Sequence, residues 1–187
     1  MRNSIRFTAL AAAALAFSTC TFAATKTGTL TVTAYMFQSC TVDGGTLVFG
    51  NYDVLQNAAV PLNAQSTVSV SCTAGAPVVV TLDHGANPSL GTGTGAGARA
   101  LKAGTGVGAT YLSYSLYSDS FGGTIWGDTG GTSGFGNTIV GAGVPTLGNG
   151  GTAVLLPVYG SIAMGQTGAT GPDVAAFTDT VVVTAIF

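Results

Sequence analysis

Charge is what this chain most lacks. Only 6% of its 187 residues are charged, Lys and Arg together number 5, and glutamate does not occur. Ordinary soluble domains carry roughly 25% charged residues. Exposed helices normally present a charged face, so a chain rich in Thr, Val and Gly with few charges favours strands over surface helices. The scarcity of cations excludes nucleic acid, and argues against an anionic membrane surface, as an electrostatic partner. Histidine occurs once, at His84, with Asp83 as its only close carboxylate. That leaves little to build a His-based metal site, and no Ser–His–Asp or Cys–His relay. His84 and Asp83 instead suit the polar turn into Gly85. The 7 aspartates are scattered, mainly where strands should end, and form no paired acid–base constellation along the sequence. No enzyme activity, cofactor, metal or small-molecule substrate is expected.

What is present begins with a leader. Arg2 and Arg6 precede an apolar stretch from Phe7 to Phe17, and small and polar residues end in Thr21-Phe22-Ala23, the pattern of a secretory signal peptide. The apolar run, about 11 residues, falls short of the roughly 20 that span a bilayer as a helix. Residues 1–23 are therefore expected to be removed, leaving Lys26, Arg99 and Lys102 as the only cations. The remaining 24–187 has the length of one domain.

Cysteine occurs 3 times, and Cys20 belongs to the leader. The alternative, a lipidated Cys20, is poorly served by Phe17-Ser18-Thr19 before it. Cys40 and Cys72 then form an even pair in an oxidising compartment and read as one disulfide; two buried free thiols are the alternative. Closing a loop of about 33 residues stabilises by roughly 3–4 kcal/mol on the chain-entropy account.

Beyond the leader the apolar period is two. Thr29 to Phe37 alternates, with Leu30, Val32, Ala34 and Met36 on one face. Thr67 to Cys72 alternates with Val68, Val70 and Cys72 inward, and Leu112, Tyr114 and Leu116 share a face within 111–117. Pro77 to Leu82 and Val154 to Tyr159 are short apolar runs, and Thr178 to Phe187 is strongly β-branched. Short strands punctuated by Gly, Pro and Asn, with no sustained 3.6 period, predict an all-β antiparallel sandwich. Two glycine-rich stretches, 91–108 and 122–151, read as surface loops or weak edge strands. Gly91-Thr92-Gly93-Thr94-Gly95-Ala96 superficially matches a dinucleotide-binding loop, but no helix follows it. Trp126, between Ile125 and Gly127, reads as core rather than as a platform for a sugar.

Taken in order, these pieces resemble the spore coat protein U family, which contains the subunits of archaic chaperone–usher pili. The resemblance is carried by Cys40, by Leu47-Val48-Phe49-Gly50-Asn51-Tyr52-Asp53, by Val70-Ser71-Cys72 and by Arg99-Ala100-Leu101-Lys102. It continues through Leu112-Ser113-Tyr114-Ser115-Leu116-Tyr117-Ser118-Asp119, Trp126-Gly127-Asp128 and Val158-Tyr159-Gly160-Ser161-Ile162, and ends in the run Phe177 to Phe187. Phe177 stands where the family often has Tyr, and the glycine loops are longer than usual.

The resemblance implies an incomplete immunoglobulin-like β-sandwich lacking its last strand. Residues 24–38 would be an N-terminal donor strand plugging a neighbour with Leu30, Val32, Ala34 and Met36, and 39–187 the single pilin domain. The C-terminal strand, with Val181, Val183, Ala185, Ile186 and Phe187, would face a periplasmic chaperone during export. Partners would be identical or related pilin subunits, that chaperone and an outer-membrane usher, and the destination a cell-surface pilus active in adhesion and biofilm formation. One domain plus a donor segment suits a shaft subunit. The alternatives are a secreted spore-coat or matrix protein with a self-complete sandwich, and a small carbohydrate-binding module using Trp126 and the tyrosines.

Overall fold

The computed structural model describes residues 24–87, 99–128, 143–167 and 176–187. The leader with Cys20, and much of both glycine-rich stretches (91–98 and 129–142), lie outside the described residues. The chain divides into two units, 1–35 and 36–187. In the first, residues 24–35 form neither strand nor helix and are exposed throughout. Residues 29–37, whose alternation suits a donor strand, form no strand within this chain; an alternating segment forms a strand only where a partner edge completes its hydrogen bonds.

The second unit is all-β among the described residues, apart from two single 3₁₀ turns at Gln56–Ala58 and Gly106–Gly108. Its strands are β1 (Cys40–Asp43), β2 (Leu62–Cys72), β3 (Pro77–Leu82), β4 (Arg99–Ala103), β5 (Thr110–Tyr117), β6 (Val144–Leu147), β7 (Val154–Ile162) and β8 (Val183–Ile186). They form a five-stranded sheet ordered β1-β2-β7-β5-β4 and a three-stranded sheet ordered β6-β3-β8, with antiparallel pairing throughout.

Alternation places the core. Val68 and Val70 of β2, Leu112, Tyr114 and Leu116 of β5, and Leu156, Val158 and Ile162 of β7 are buried against Val78, Val80 and Leu82 of β3. Each such side chain contributes about 1.5–3 kcal/mol of hydrophobic stabilisation relative to exposure. Trp126 is fully buried between the layers, where its amide donates to the Leu116 carbonyl (2.9 Å) and its Nε1 to the Val80 carbonyl (2.9 Å). One residue thereby joins β5 to β3 with no unsatisfied polar atom on its ring.

Arg99 is the second tie. Its side chain, 0% exposed, donates from Nε to the Asp83 carbonyl (2.7 Å) and from Nη2 to the carbonyls of Leu82 (3.0 Å) and Trp126 (2.9 Å). Burial pushes the guanidinium pKa down, while Tyr114, Asp83, Asp179 and Asp128 pull it back up. A guanidinium matched to carbonyls at a strand end suits such a site far better than a lysine.

The edges are β1 and β4 in the larger sheet, β6 and β8 in the smaller. β4 and β6 lie within the two glycine-rich stretches, as edge strands. At the C-terminus the strand is only Val183–Ile186, shorter than the run that begins at Thr178. Thr178 instead exchanges both backbone hydrogen bonds with Lys102 of β4 (2.9 and 3.0 Å), and the Asp83 carboxylate takes the Val182 amide (2.8 Å). The segment therefore passes from one sheet to the other before it joins β3.

Candidate functional site

A groove opens between the two layers, reached by Leu101 of the edge strand β4, Val183 of the edge strand β8 and the segment that follows β1. Its cavity measures about 330 Å³. Val68, Val158, Leu116 and Tyr114 line it from the larger sheet, Leu82, Val181 and Val183 from the other side, and the 44–49 segment runs along its rim. Among the described residues, Asp179 is the only carboxylate in this lining.

The walls follow from local sequence. Phe177, Asp179, Val181, Val183 and Ala185 are half-buried while Thr178, Thr180, Val182 and Thr184 are exposed, so period two aims one face inward. The rim is held over β7 by an absence. A Cβ at Gly160 would lie 2.5 Å from Leu47 Cδ2 and 2.8 Å from Phe49 Cζ, so only glycine lets these two side chains settle there. Gly45 turns the chain at φ +64, and a Cβ there would stand 2.7 Å from the Thr67 carbonyl oxygen. Phe49 meets Tyr114 edge to face, with centroids 5.9 Å apart.

Tyr114 is held in turn by Asp179. Its hydroxyl donates to Asp179 Oδ2 (2.7 Å), while Asp179 Oδ1 accepts from the amides of Ala86 (2.9 Å) and Thr180 (2.9 Å) and from Asn87 Nδ2 (3.2 Å). Burial first, and then the Asp179 carboxylate, raise the Tyr114 pKa above its ordinary value. Next to Tyr114 within β5, Ser113 makes an amide pair with buried Gln166, whose side chain accepts from the Ser113 amide at 2.5 Å and donates to its carbonyl at 2.8 Å.

The residues singled out from sequence fall in distinct places. Cys40 and Cys72 face each other across β1 and β2 and are joined by a disulfide. Val181 and Val183 line the groove, and Ala185 points inward with them. Ile186 and Phe187 do not share that face: Ile186 is offset by one residue and 36% exposed, and Phe187 lies beyond the strand, 54% exposed. Alternation thus separates Ile186 from Val181, Val183 and Ala185, since adjacent strand residues point to opposite sides. Leu30, Val32 and Met36 are exposed at 88, 81 and 91%, and Ala34 is exposed with them.

His84 Nδ1 lies 2.6 Å from the Gly85 carbonyl oxygen, within a turn. No group of three or more His, Cys, Asp or Glu among the described residues is placed to hold a metal ion. Phe49, Gly160 and Asp179 were legible only as parts of longer motifs; what assigns them to the groove is that three separate segments converge there. The arrangement offers no reacting constellation. What it offers is a trough beside two sheet edges, walled by apolar side chains with Thr46, Ser66 and Asp179 among them.

A family model described as the Spore Coat Protein U domain matches residues 26–184. Protein U of Myxococcus xanthus is 37% identical over 196 aligned residues, which cover 99% of each chain. Among solved structures, one match is the CsuC–CsuE chaperone–tip adhesion subunit pre-assembly complex from archaic chaperone–usher Csu pili of Acinetobacter baumannii. It has a TM-score of 0.49 and 20% identity; the match covers 81% of this chain, which spans 40% of that one.

Proposed function

This chain belongs to the Spore Coat Protein U domain family, and from that premise we propose that it is a non-enzymatic shaft subunit of an archaic chaperone–usher pilus. Residues 1–23 direct export and are removed. The 24–38 segment of one subunit then enters the groove of the next, with Leu30, Val32, Ala34 and Met36 as its plugs. Before assembly a periplasmic chaperone covers the groove along the C-terminal strand, and an outer-membrane usher exchanges chaperone for subunit. The finished fibre serves surface adhesion and biofilm formation.

The observation that carries this reading is the groove itself. A cavity of about 330 Å³ between the layers, lined by Val, Leu, Phe and Tyr side chains together with Thr46, Ser66 and Asp179 and bordered by edge strands, supports that reading, because a strand added there would cover it. The exposed alternating segment supplies the chemistry of such a strand. Negative-stain microscopy of the native cell surface, with and without this gene, tests the proposal. Loss of thin fibres is expected on deletion, and an unchanged set of fibres overturns it.

A second reading has support in the full-length match to Protein U and in the name of the family. In it the protein is a secreted coat or matrix component whose sandwich is self-complete. Immunogold labelling separates the two: the coat reading puts label on a continuous layer, the pilus reading on filaments.

A further inference from the structure

The groove is not uniform along its length. At one end stand the paired rings of Phe49 and Tyr114, and neither can step aside easily. Phe49 is seated on Gly160, and the Tyr114 hydroxyl is held by Asp179. At the other end Gly44 lies against Val183, with no ring between them; a Cβ on Gly44 would stand 3.0 Å from the Val183 methyl. Asp179 and Val183 thus mark the two ends of one wall, with Val181 between them. Four residues of extended chain separate these ends, about 13 Å.

The N-terminal segment carries its own variation in size. Leu30, Val32 and Met36 are large or medium, and Ala34 among them is small. Leu30 and Ala34 are also four residues apart. We infer that, in a second copy's groove, Ala34 lies over the Phe49–Tyr114 ring pair and Leu30 fills the ring-free end beside Gly44 and Val183. This inference rests on the donor-strand reading above and adds a size filter that fixes register. It also fixes direction. With Ala34 at the rings and the segment reversed, Met36 alone would remain to fill the groove past Val181 and Val183. Leu30 and Val32 would then extend beyond the lined cavity. The segment consequently runs antiparallel to the acceptor's β8.

The test uses the full chain expressed in its native cells. Replacing Ala34 by Val, Leu and Phe should lower fibre yield in order of size, with Ala34→Leu reduced about tenfold, as overpacking a well-packed site does. Val32→Leu should assemble near the native level, and Phe49→Ala should restore assembly to Ala34→Phe. A cysteine pair supplies a readout that does not depend on Phe49 variants folding. Leu30→Cys with Gly44→Cys should give disulfide-linked ladders on non-reducing gels, and Met36→Cys with Gly44→Cys should not. Native assembly of Ala34→Phe, or the reverse cross-linking pattern, overturns the inference. Leu30→Asp keeps the two proposals apart. If it abolishes fibres while Ala34→Phe does not, only the size filter fails; if it leaves fibres intact, the donor-strand reading fails as well.

Discussion

The Tyr114 hydroxyl donates to the Asp179 carboxylate across 2.7 Å, fastening the middle of β5 to the segment that leads into β8. Tyr114 is 4% exposed and lies beside the buried Arg99 guanidinium. The bond therefore sits in a poorly solvated place, where its loss leaves a charged acceptor short of a donor. It also closes the ring end of the groove, so one contact serves both folding and the shape of the site.

That contact sets an alkaline limit on stability. The folded Tyr114 pKa lies above the ordinary value of 10.0, raised by burial and then by Asp179. Below pH 10 both folded and unfolded chains keep the proton, and the stabilisation is fully present. Above it the unfolded chain releases the proton first, so stability falls as pH rises towards the folded pKa, at up to about 1.4 kcal/mol per pH unit. Urea titrations from pH 8 to 11.5 should show this decline in the native chain and a shallower one in Tyr114→Phe. Parallel slopes would refute the assignment.

Removing the Cys40–Cys72 bond should cost about 3–4 kcal/mol, because its 32-residue separation no longer restricts the unfolded chain. The double variant Cys40→Ser, Cys72→Ser is the cleanest comparison, since it leaves no thiol in residues 24–187. Denaturant midpoints measure the loss, and mass spectrometry after alkylation without reductant should find no modified cysteine in the native protein. Two labelled thiols would remove the basis for the prediction.

Gly160→Ala tests whether the rim is seated as described. The new methyl must displace Leu47 and Phe49, which approach its position to 2.5 and 2.8 Å. Overpacking of this kind costs about 1–3 kcal/mol. Gly151→Ala is not an equivalent control because of its φ of +86, whereas Gly108 has a negative φ and open space around its Cβ position. Gly108→Ala should stay near the native stability in the same thermal melts. Equal behaviour of the two variants would contradict the packing.

Period two in the sequence made much of this fold legible. Pro77–Leu82 is a strand over its whole predicted length, and Leu112, Tyr114 and Leu116 face the core together. Periodicity marks which face is buried but not against what. Thr178 to Ile186 alternates without a break, yet it binds β4 at Thr178 and β3 from Val183 onward. Thr29 to Phe37 alternates as well and joins no sheet. Arg99 was visible as a motif residue, but a lone cation in a sequence reads as surface. Its buried place is set by carbonyls at the end of β3 and at Trp126, which sequence spacing does not reveal. The groove was least legible, because Phe49, Tyr114 and Val183 come from segments far apart in the chain.

The two faces of the N-terminal segment provide an internal control for polymerisation. Leu30 and Val32 share one face and Thr31 the other, since side chains alternate strictly along an extended chain. If Leu30 and Val32 are the plugs, Leu30→Asp and Val32→Asp each place a carboxylate against the groove's Val and Leu side chains, where Asp179 is already the one lining carboxylate among the described residues. Desolvating an unpaired charge there costs several kcal/mol, and Asp179 adds repulsion for a plug seated near it. Thr31→Asp points away and should cost little. All three side chains are carried by a segment outside every sheet, so the domain itself should fold alike in each variant. Fibre counts by microscopy, set against subunit levels on immunoblots, should therefore collapse for Leu30→Asp and Val32→Asp and hold for Thr31→Asp. Equal loss on both faces would instead mark residues 29–37 as a strand of the subunit's own sheet, and the coat-protein reading would then be the stronger one.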